Sequence, residues 1–350
     1  MKLSDWLFLL LTTAVVLGTL GGYKLLTSKS SLQPYEKYFV KQEALKQESI
    51  NQEPIKEQTS QKIKATFLGT SSVLISDGQT TLLTDGFISR PGLSKLLLSK
   101  IEPNKEKIKS VLTKLNVEKI DAIMTLHSHH DHALDSAFIA QTTQAVLIGS
   151  PSSANIARGS GLNETKIKVV KHKKSFKFGQ FRVTMIPFKH TVMPSFLRYL
   201  VGMGESIEKP LMLPSYFVNF KEGGTYSLYI EHPLGNIFIN GSSGFVNNQL
   251  EGYNADVVFL GIARLGKNSI LFQEEYFNEV VKKLKAKRVI PIHWDDFTKD
   301  IDKPMIPMNR LFDDFAKSMD FLIKQTEQNS IKLELLNIFD EIVLYEQKSG

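Results

Sequence analysis

The sequence predicts an α/β fold in which two β-sheets pack face to face between outer helices, a four-layer αββα sandwich. Short apolar strands and amphipathic helices follow each other in the order typical of that architecture. A polar, histidine-rich segment, HSHHDH at 127–132, directly follows one of the apolar strands. With 350 residues and 42% apolar content, the chain can also bury a large core.

The first 28 residues are predicted to be a membrane anchor or a signal segment. Residues 6–23 carry no charge and, at about 1.5 Å per residue, are just long enough to cross a thin hydrocarbon core. Their glycines offer no A-x-A-like cleavage site, so an uncleaved anchor is favoured. We therefore predict a membrane-anchored, single-pass protein with an N-terminal transmembrane helix. Downstream lysines favour a cytoplasmic domain, but the absence of cysteine favours the extracytoplasmic side, which we prefer.

Residues 29–62 are rich in Gln, Glu, Lys and Ser and are predicted to form a polar linker, which places the folded domain at 63–350. The 43 basic and 36 acidic side chains give a net charge of +7, spread along the chain. No basic run is interleaved with aromatic residues, so no nucleic-acid partner is expected. The absence of cysteine excludes disulfides, iron–sulfur clusters and thiol catalysis.

Apolar runs bounded by turn residues predict the strands, beginning with a meander that turns at Asp77-Gly78. The predicted strands cover residues 65–70, 72–76, 80–84, 120–126, 145–149, 181–187, 225–231, 236–240, 255–261, 288–292, 332–335 and 342–345. Apolar residues at helical spacing predict helices over 93–100, 105–115, 132–143, 271–284 and 310–324. The Ser- and Gly-rich stretch 149–161 is predicted to be a loop with a helix cap.

The segment at 127–132 has the residue types and the spacing of a metal site. Residues two apart on an extended chain project to the same side, so His127 and His129 can reach one cation together. Asp131 and His132, where the chain turns into a helix, can face a second cation. Imidazole nitrogen and carboxylate oxygen suit zinc and, less exclusively, iron or manganese. The alternative is a histidine-rich loop that only scavenges metal, but these residues follow a strand and lie outside any low-complexity tract.

HSHHDH fits the H-x-H-x-D-H signature, and the chain resembles the metallo-β-lactamase superfamily over roughly residues 63–345. It looks most similar to the branch of metal-dependent hydrolases that includes the L-ascorbate-6-phosphate lactonases and the N-acyl phosphatidylethanolamine phospholipase D enzymes. The resemblance implies a two-metal site held between two β-sheets.

The resemblance also assigns ligands from distant parts of the chain. His190 follows the strand at 181–187 and matches a superfamily histidine, which would join His127 and His129 on the first metal. His293 follows the strand at 288–292 and would join Asp131 and His132 on the second metal.

Three further residues are expected near these ligands. Asp85 matches a carboxylate that orients the metal loop by hydrogen bonding. Asp135 lies in the first turn of the predicted helix and either supports a ligand or is an exposed helix-start residue. Ser242 stands where the superfamily usually has an aspartate that bridges both metals, and a hydroxyl is a poor zinc ligand, so the second metal should bind more weakly. If only one metal binds, we expect it at the three histidines.

The stretch 192–218 leaves the predicted ligand His190 and is unusually apolar. We expect it to be a lid or wall for an apolar substrate, with burial in the core or in a dimer interface as alternatives.

These features predict a zinc-dependent hydrolase in which a metal-bound hydroxide attacks an ester, a lactone or a phosphodiester, lipid-like substrates included. Asp131 would be catalytic by steering the proton of that water. The cofactor is one or two Zn²⁺ ions, with Mn²⁺ or Fe²⁺ as alternatives, and the partners are a small-molecule or lipid-like substrate and, through residues 6–23, the membrane. The alternative function is a membrane-tethered metal-binding or scaffolding protein with little turnover.

Overall fold

The computed structural model describes residues 28–41, 61–171 and 174–347. The predicted anchor at 6–23 lies outside these residues. Among the helices that are described, none is long and apolar enough to cross a bilayer. The longest described α-helix, Phe315–Gln328, has 14 residues, which gives about 21 Å against a hydrocarbon core of about 30 Å. We therefore correct the prediction of a membrane-anchored, single-pass protein, which has no support in the structure.

Two seven-stranded sheets form the centre of the molecule, and they confirm the predicted α/β fold with two sheets. The first sheet contains β1 Lys62–Phe67, β2 Val73–Ser76, β3 Thr81–Thr84, β4 Ala122–Met124, β5 Val146–Gly149, β6 Ile167–Val169 and β14 Glu341–Glu346. The second contains β7 Ser175–Phe178, β8 Phe181–Phe188, β9 Thr225–Glu231, β10 Ile237–Asn240, β11 Val257–Gly261, β12 Arg288–Ile292 and β13 Lys332–Leu333.

The two sheets repeat one pairing pattern. In the first, the order is β14-β1-β2-β3-β4-β5-β6, antiparallel as far as β3 and parallel from β3 to β6. In the second, β7 to β10 are antiparallel and β10 to β13 are parallel. Parallel strands end at the same edge of a sheet, so the loops that leave them are gathered on one side of the molecule.

The described α-helices are α1 Leu93–Leu98, α2 Lys105–Lys114, α3 His130–Ala133, α4 Ser136–Thr143, α5 Pro151–Gly159, α6 Ser195–Leu200, α7 Ile270–Phe277 and α8 Phe315–Gln328. Apolar side chains of α2, α4 and α5 pack on the first sheet, and those of α7 and α8 belong to the core that contains the second. In β4, Ala122 and Met124 belong to the core that contains both sheets, whereas Ile123 belongs to the cluster shared with α2, α4 and α5. This alternation follows from the two-residue period of a strand, and it makes the first sheet buried on both faces.

Local sequence signals explain where the helices differ from the prediction. The stretch predicted as loop contains α5, because the Ser150 side chain accepts from the backbone N–H of Ser153 and Pro151 occupies the first turn. The helix predicted over 132–143 is divided into α3 and α4. Asp314 caps α8, so that helix begins at Phe315 and not at residue 310.

Part of the predicted polar linker packs against the domain. The chain forms a 3₁₀ helix at Gln33–Tyr38, where the buried Tyr35 donates to Asp320 at 2.9 Å. Lys29 forms an ion pair with Asp296. Residues 42–60 lie outside the described part of the chain, so the predicted limits of linker and domain stay predictions.

Candidate metal centre

The predicted ligands lie on loops that follow strands of both sheets. His127, His129, Asp131 and His132 follow β4, His190 follows β8 and His293 follows β12. They form two adjoining groups, which we call the three-histidine cluster (His127, His129 and His190) and the mixed cluster (Asp131, His132 and His293). In each group, one possible ligand atom per residue lies within 4.8 Å of the others. The two groups adjoin because the ring centroids of His127 and His132 are 3.6 Å apart.

The three-histidine cluster is nearly symmetrical. Its ring centroids are separated by 4.9 Å for His127 and His129, 5.0 Å for His127 and His190, and 4.9 Å for His129 and His190. Each pair of rings is close to perpendicular, with interplanar angles of 82° to 90°. Three imidazoles on one tetrahedral zinc, with bonds of about 2.0 Å, would hold their centroids roughly 5 Å apart, so the arrangement fits such an ion.

Backbone carbonyls fix two of these rings. His129 donates from Nε2 to the carbonyl of Val201 at 2.9 Å, and His190 donates from Nδ1 to the carbonyl of Thr191 at 3.3 Å. Each bond leaves the other ring nitrogen free as a ligand. Both ring nitrogens of the buried His127 lack a hydrogen-bond partner in the described chain. Such orphaned atoms are rare in folded proteins, and a bound cation would satisfy one of them.

Burial keeps this cluster neutral. It lowers the pKa of His127 and His129 well below the usual value for histidine, and neighbouring imidazoles, His132 among them, add to the effect. Burial also lowers the pKa of His190, to about 4. All three side chains therefore have a lone pair available at neutral pH, as a metal ligand requires.

The mixed cluster has the dimensions of one face of a coordination tetrahedron. His132 Nε2 lies 3.2 Å from His293 Nε2 and 3.7 Å from Asp131 Oδ2, and His293 Nε2 lies 3.4 Å from that oxygen. Ligand atoms on a tetrahedral zinc at 2.0–2.1 Å are about 3.3 Å apart. The three ligand atoms therefore fit a divalent ion with little movement.

Asp85 holds His132 in place. Its Oδ2 lies 2.8 Å from His132 Nδ1, and its Oδ1 accepts from the backbone N–H of Leu126 at 2.7 Å. Its backbone is in the left-handed region, with φ +56°. Ser71 also donates to Asp85 and lies 2.9 Å from the same nitrogen of His132, a contact that the sequence analysis missed. These contacts direct His132 Nε2 toward the mixed cluster.

Charges dominate the mixed cluster. Burial alone would lower the pKa of His132, but the carboxylates of Asp85 and Asp131 together outweigh burial and raise it. Burial would likewise raise the pKa of Asp131, but His132 and His293 reverse the effect and hold it well below the usual range for a carboxyl group. Asp131 is therefore a carboxylate, and His132 is a stronger base than an exposed histidine.

Ser242 and Asp135 lie outside both clusters. The Ser242 hydroxyl accepts from the backbone N–H of Thr191 at 2.9 Å, so it fastens the loop that carries His190. Asp135 accepts from the backbone N–H groups of Ile88 and Ser89 at 2.7 Å and 2.6 Å. It is fully buried, which raises its pKa to about 6, so the exposed alternative does not apply.

Further residues of the site escaped the sequence analysis. Asp295 forms a buried ion pair with Arg90 and accepts from the backbone N–H of Thr70 at 2.8 Å. The carbonyl of Thr70 in turn accepts from the backbone N–H of His293 at 2.6 Å. Asp295 thus positions the His293 loop. The only sequence signal was its place in the motif His293-Trp-Asp.

A cavity of about 240 Å³ opens beside the two clusters. Metal-site side chains line one part of it, and most of its remaining wall is apolar. The stretch 192–218 contributes Met193, Leu197, Leu200, Val201 and Phe217 to this wall. The same stretch exposes 70% of Phe196 and 84% of Tyr199 to solvent. Residues 192–218 are therefore a wall of the cavity with an apolar outer rim.

Comparison with known proteins gives matches over most of the domain. The family model described as the beta-lactamase superfamily domain matches residues 82–294, well over half of the chain. A UPF0173 metal-dependent hydrolase of Natranaerobius thermophilus is 23% identical over 245 residues, which cover 70% of this chain and 86% of the relative. A protein of the same name from Christiangramia forsetii is 29% identical over 129 residues, 37% of this chain and about half (49%) of the relative.

A solved structure has a similar fold. Igni18, a metallo hydrolase from the archaeon Ignicoccus hospitalis, superposes with a TM-score of 0.51 at 15% sequence identity. The match covers 82% of this chain and 99% of Igni18. At this level of identity, the likeness concerns the fold alone.

Proposed function

Because this chain belongs to the metallo-β-lactamase superfamily, we propose that it is a metal-dependent hydrolase that works with one or two Zn²⁺ ions. Mn²⁺ and Fe²⁺ are the alternatives for the same nitrogen and oxygen ligands. The narrower likeness to the lactonase and phospholipase D branch stays a prediction.

The observation that carries the proposal is the pair of adjoining clusters. Six side chains from three separate loops converge beside one cavity. The ligand atoms of the mixed cluster and the ring centroids of the three-histidine cluster have the separations that a tetrahedral ion requires. A neutral set of three imidazoles lies next to a set that carries a carboxylate. This arrangement supports metal binding better than a surface histidine cluster would, because His127, His129, Asp131 and His132 are all buried.

Divalent zinc, when bound, lowers the pKa of water and polarises a carbonyl or phosphoryl oxygen. The protein's own residues would orient the reactants. Asp131 stays ionised in the site, so its carboxylate can accept a hydrogen bond from a water molecule beside it and orient that water's proton. Asp85 and the carbonyl of Val201 fix the rings of His132 and His129, which limits the reorganisation that binding requires.

The wall of the cavity supports an ester, a lactone or a phosphodiester with an apolar part as substrate. Leu96, Leu197, Phe217 and Phe220 line the cavity, and none of them can bond a polar group. A substrate with an apolar portion gains by placing it there, because apolar surface on both sides leaves water. Lipid-like molecules belong to this class.

The test is the metal content of the full chain measured together with turnover. We expect one to two equivalents of metal by mass spectrometry, hydrolysis of at least one of a chromogenic ester, a lactone and a phosphodiester, and loss of both on chelation. Metal-free protein after incubation with zinc, manganese and iron would refute the ligand assignment. Stoichiometric metal without turnover on this panel would favour the alternative of a metal-binding protein, which Ser242 in place of a bridging carboxylate allows.

A further inference from the structure

The cavity beside the metal centre has one side chain on its wall that is a permanent cation. Among the described residues that line it, Arg264 is the only arginine or lysine. Arg90 also lies close by, but it is buried in an ion pair with Asp295. The charge of Arg90 is thus neutralised by Asp295. The contacts of Arg264 are different.

Backbone carbonyls hold the Arg264 guanidinium. It donates to the carbonyl of Phe312 at 2.6 Å and to that of Val192 at 3.4 Å. Phe312 lines the cavity, and Val192 begins the apolar stretch that forms another wall. The guanidinium therefore bridges two walls, and its position is fixed before any ligand arrives.

Within the described residues, no carboxylate forms an ion pair with this guanidinium. Asp313 is the acid that faces it, and its Oδ1 accepts from the backbone N–H groups of Arg264 and Asp314, at 2.9 Å and 2.7 Å. The Arg264 side chain is only partly exposed. A partly buried guanidinium loses hydration, and neutral carbonyls compensate the lost hydration less well than an anion does.

The backbone at Arg264 gives an independent indication. Its φ is +62°, a conformation that residues with a side chain rarely adopt. Arg264 follows the end of β11, and the Asp313 carboxylate fixes its backbone N–H there. Such conformations cost free energy, persist where surrounding contacts hold them, and are enriched at ligand sites.

We propose that Arg264 binds an anionic oxygen group, a carboxylate or a phosphate, of an amphipathic substrate. The apolar part of the substrate lies against the leucine and phenylalanine wall, and the anionic group lies between the metal centre and Arg264. This assignment rests on the proposed hydrolase function and narrows its substrate class to amphipathic anions. The free N–H groups of the guanidinium supply charge-assisted hydrogen bonds to the anion.

Binding to the full-length, metal-loaded protein tests the proposal without turnover. The probes are n-octyl phosphate, inorganic phosphate and the neutral n-octyl glucoside, titrated by calorimetry. For Arg264→Met we expect roughly 10- to 100-fold weaker binding of octyl phosphate, because a charge-assisted hydrogen bond is lost. The affinity for octyl glucoside should change less than about twofold. Arg264→Lys keeps the charge without the fork geometry and should recover part of the affinity.

Arg198→Met is the matched control, because it removes an exposed arginine of α6 and leaves the cavity wall intact. It should bind all three probes like the unaltered protein. Unchanged octyl phosphate affinity in both Arg264 variants would overturn the anion site. If inorganic phosphate bound as tightly as octyl phosphate, the proposal that the substrate is amphipathic would be overturned. Both outcomes compare variants or probes on the same metal-loaded protein and need no turnover, so a failure here is distinct from a failure of the hydrolase proposal.

Discussion

The two candidate metal-binding clusters adjoin, but they are built on different principles. The three-histidine cluster is neutral, and main-chain carbonyls orient two of its rings. The mixed cluster is held by charge, because Asp85 and Asp131 act on His132 from its two ring nitrogens. The first set offers three imidazoles to an ion, whereas the second offers two imidazoles and one carboxylate. Ser242 lies outside both sets, at the position where the family resemblance implies a bridging acid. From this comparison we expect metal to bind first and more tightly at the three histidines.

The largest expected difference comes from removing one ligand of each cluster. His127→Ala should abolish metal binding at the three-histidine cluster and reduce turnover on the order of 10³-fold, because Lewis-acid stabilisation contributes several kcal/mol. His293→Ala should keep one equivalent of metal and lose less activity. Metal content and kcat/KM of the two variants are to be measured side by side.

His232→Ala is the control for this pair. His232 is buried and faces Asp77 at 3.4 Å, and it belongs to neither cluster. Its loss should lower stability and leave metal content unchanged. If His293→Ala removed all metal and His127→Ala kept one equivalent, the proposed order of the two clusters would be reversed.

The next largest difference between the two clusters is expected from Asp85→Asn. The amide is neutral, so it cannot compensate His132 as the carboxylate does, and loss of such a partner weakens metal affinity about 10- to 100-fold. We expect this loss of affinity for the second metal equivalent, while the affinity for the first changes only slightly. Competition with a chromogenic chelator measures both affinities.

Asp135→Asn serves as the comparison for Asp85→Asn. It also neutralises a fully buried carboxyl group that accepts hydrogen bonds from backbone N–H groups, but Asp135 contacts no predicted ligand side chain. Its cost should appear in the unfolding temperature and not in either metal affinity. If Asp85→Asn weakened the affinity for both metal equivalents equally, the two clusters would not bind metal independently.

Ser242→Asp tests whether a missing acid explains the weaker cluster. A new carboxylate on the wall of the shared cavity should strengthen binding of the second equivalent by about tenfold, since two unit charges about 8 Å apart interact by roughly 2 kcal/mol at an effective dielectric constant of about 20. Ser242→Asn has the same shape without the charge and should show no gain. If Ser242→Asp lost metal and activity, the site would be adapted to serine, whose hydroxyl accepts from Thr191 N–H.

The sequence predicted the ligand side chains of this site better than the residues that hold them in place. His127, His129, Asp131 and His132 follow one strand at short spacing, so local geometry alone indicates a shared ion. His190 and His293 required the family resemblance, because nothing in a lone histidine after a strand identifies its partner. The structure brings all six into two clusters, and their ligand role stays a prediction until metal is measured.

The supporting contacts depend on packing between distant segments. Ser71 reaches Asp85 and His132 only after β2 and β3 have paired, and Asp295 meets Arg90 across 205 positions of the chain. Spacing patterns report on neighbours along the chain, so such pairs leave no local signal. The prediction of a loop where α5 lies failed for a different reason. Ser150-Pro151 is a local helix-start signature that could have been recognised.

The smallest expected effect is a difference in proton release on metal binding. At pH 7 the pKa of His127 and His129 lies far below the solution pH, so the first equivalent should release almost no proton. The pKa of His132 is raised, so the metal-free mixed cluster holds a fraction of a proton that the second equivalent must displace.

The sign follows from competition between protons and metal. As the pH falls below the raised pKa of His132, the second equivalent should weaken by up to tenfold per pH unit, while the first persists to a lower pH. Calorimetry in two buffers of different ionisation enthalpy counts the protons, up to about one for the second equivalent. Asp85→Asn should reduce that number, because it removes a charge that raises the pKa of His132. Greater proton release by the first equivalent would show that the three-histidine cluster is not the neutral one, and the distinction between the two clusters would fail at its electrostatic basis.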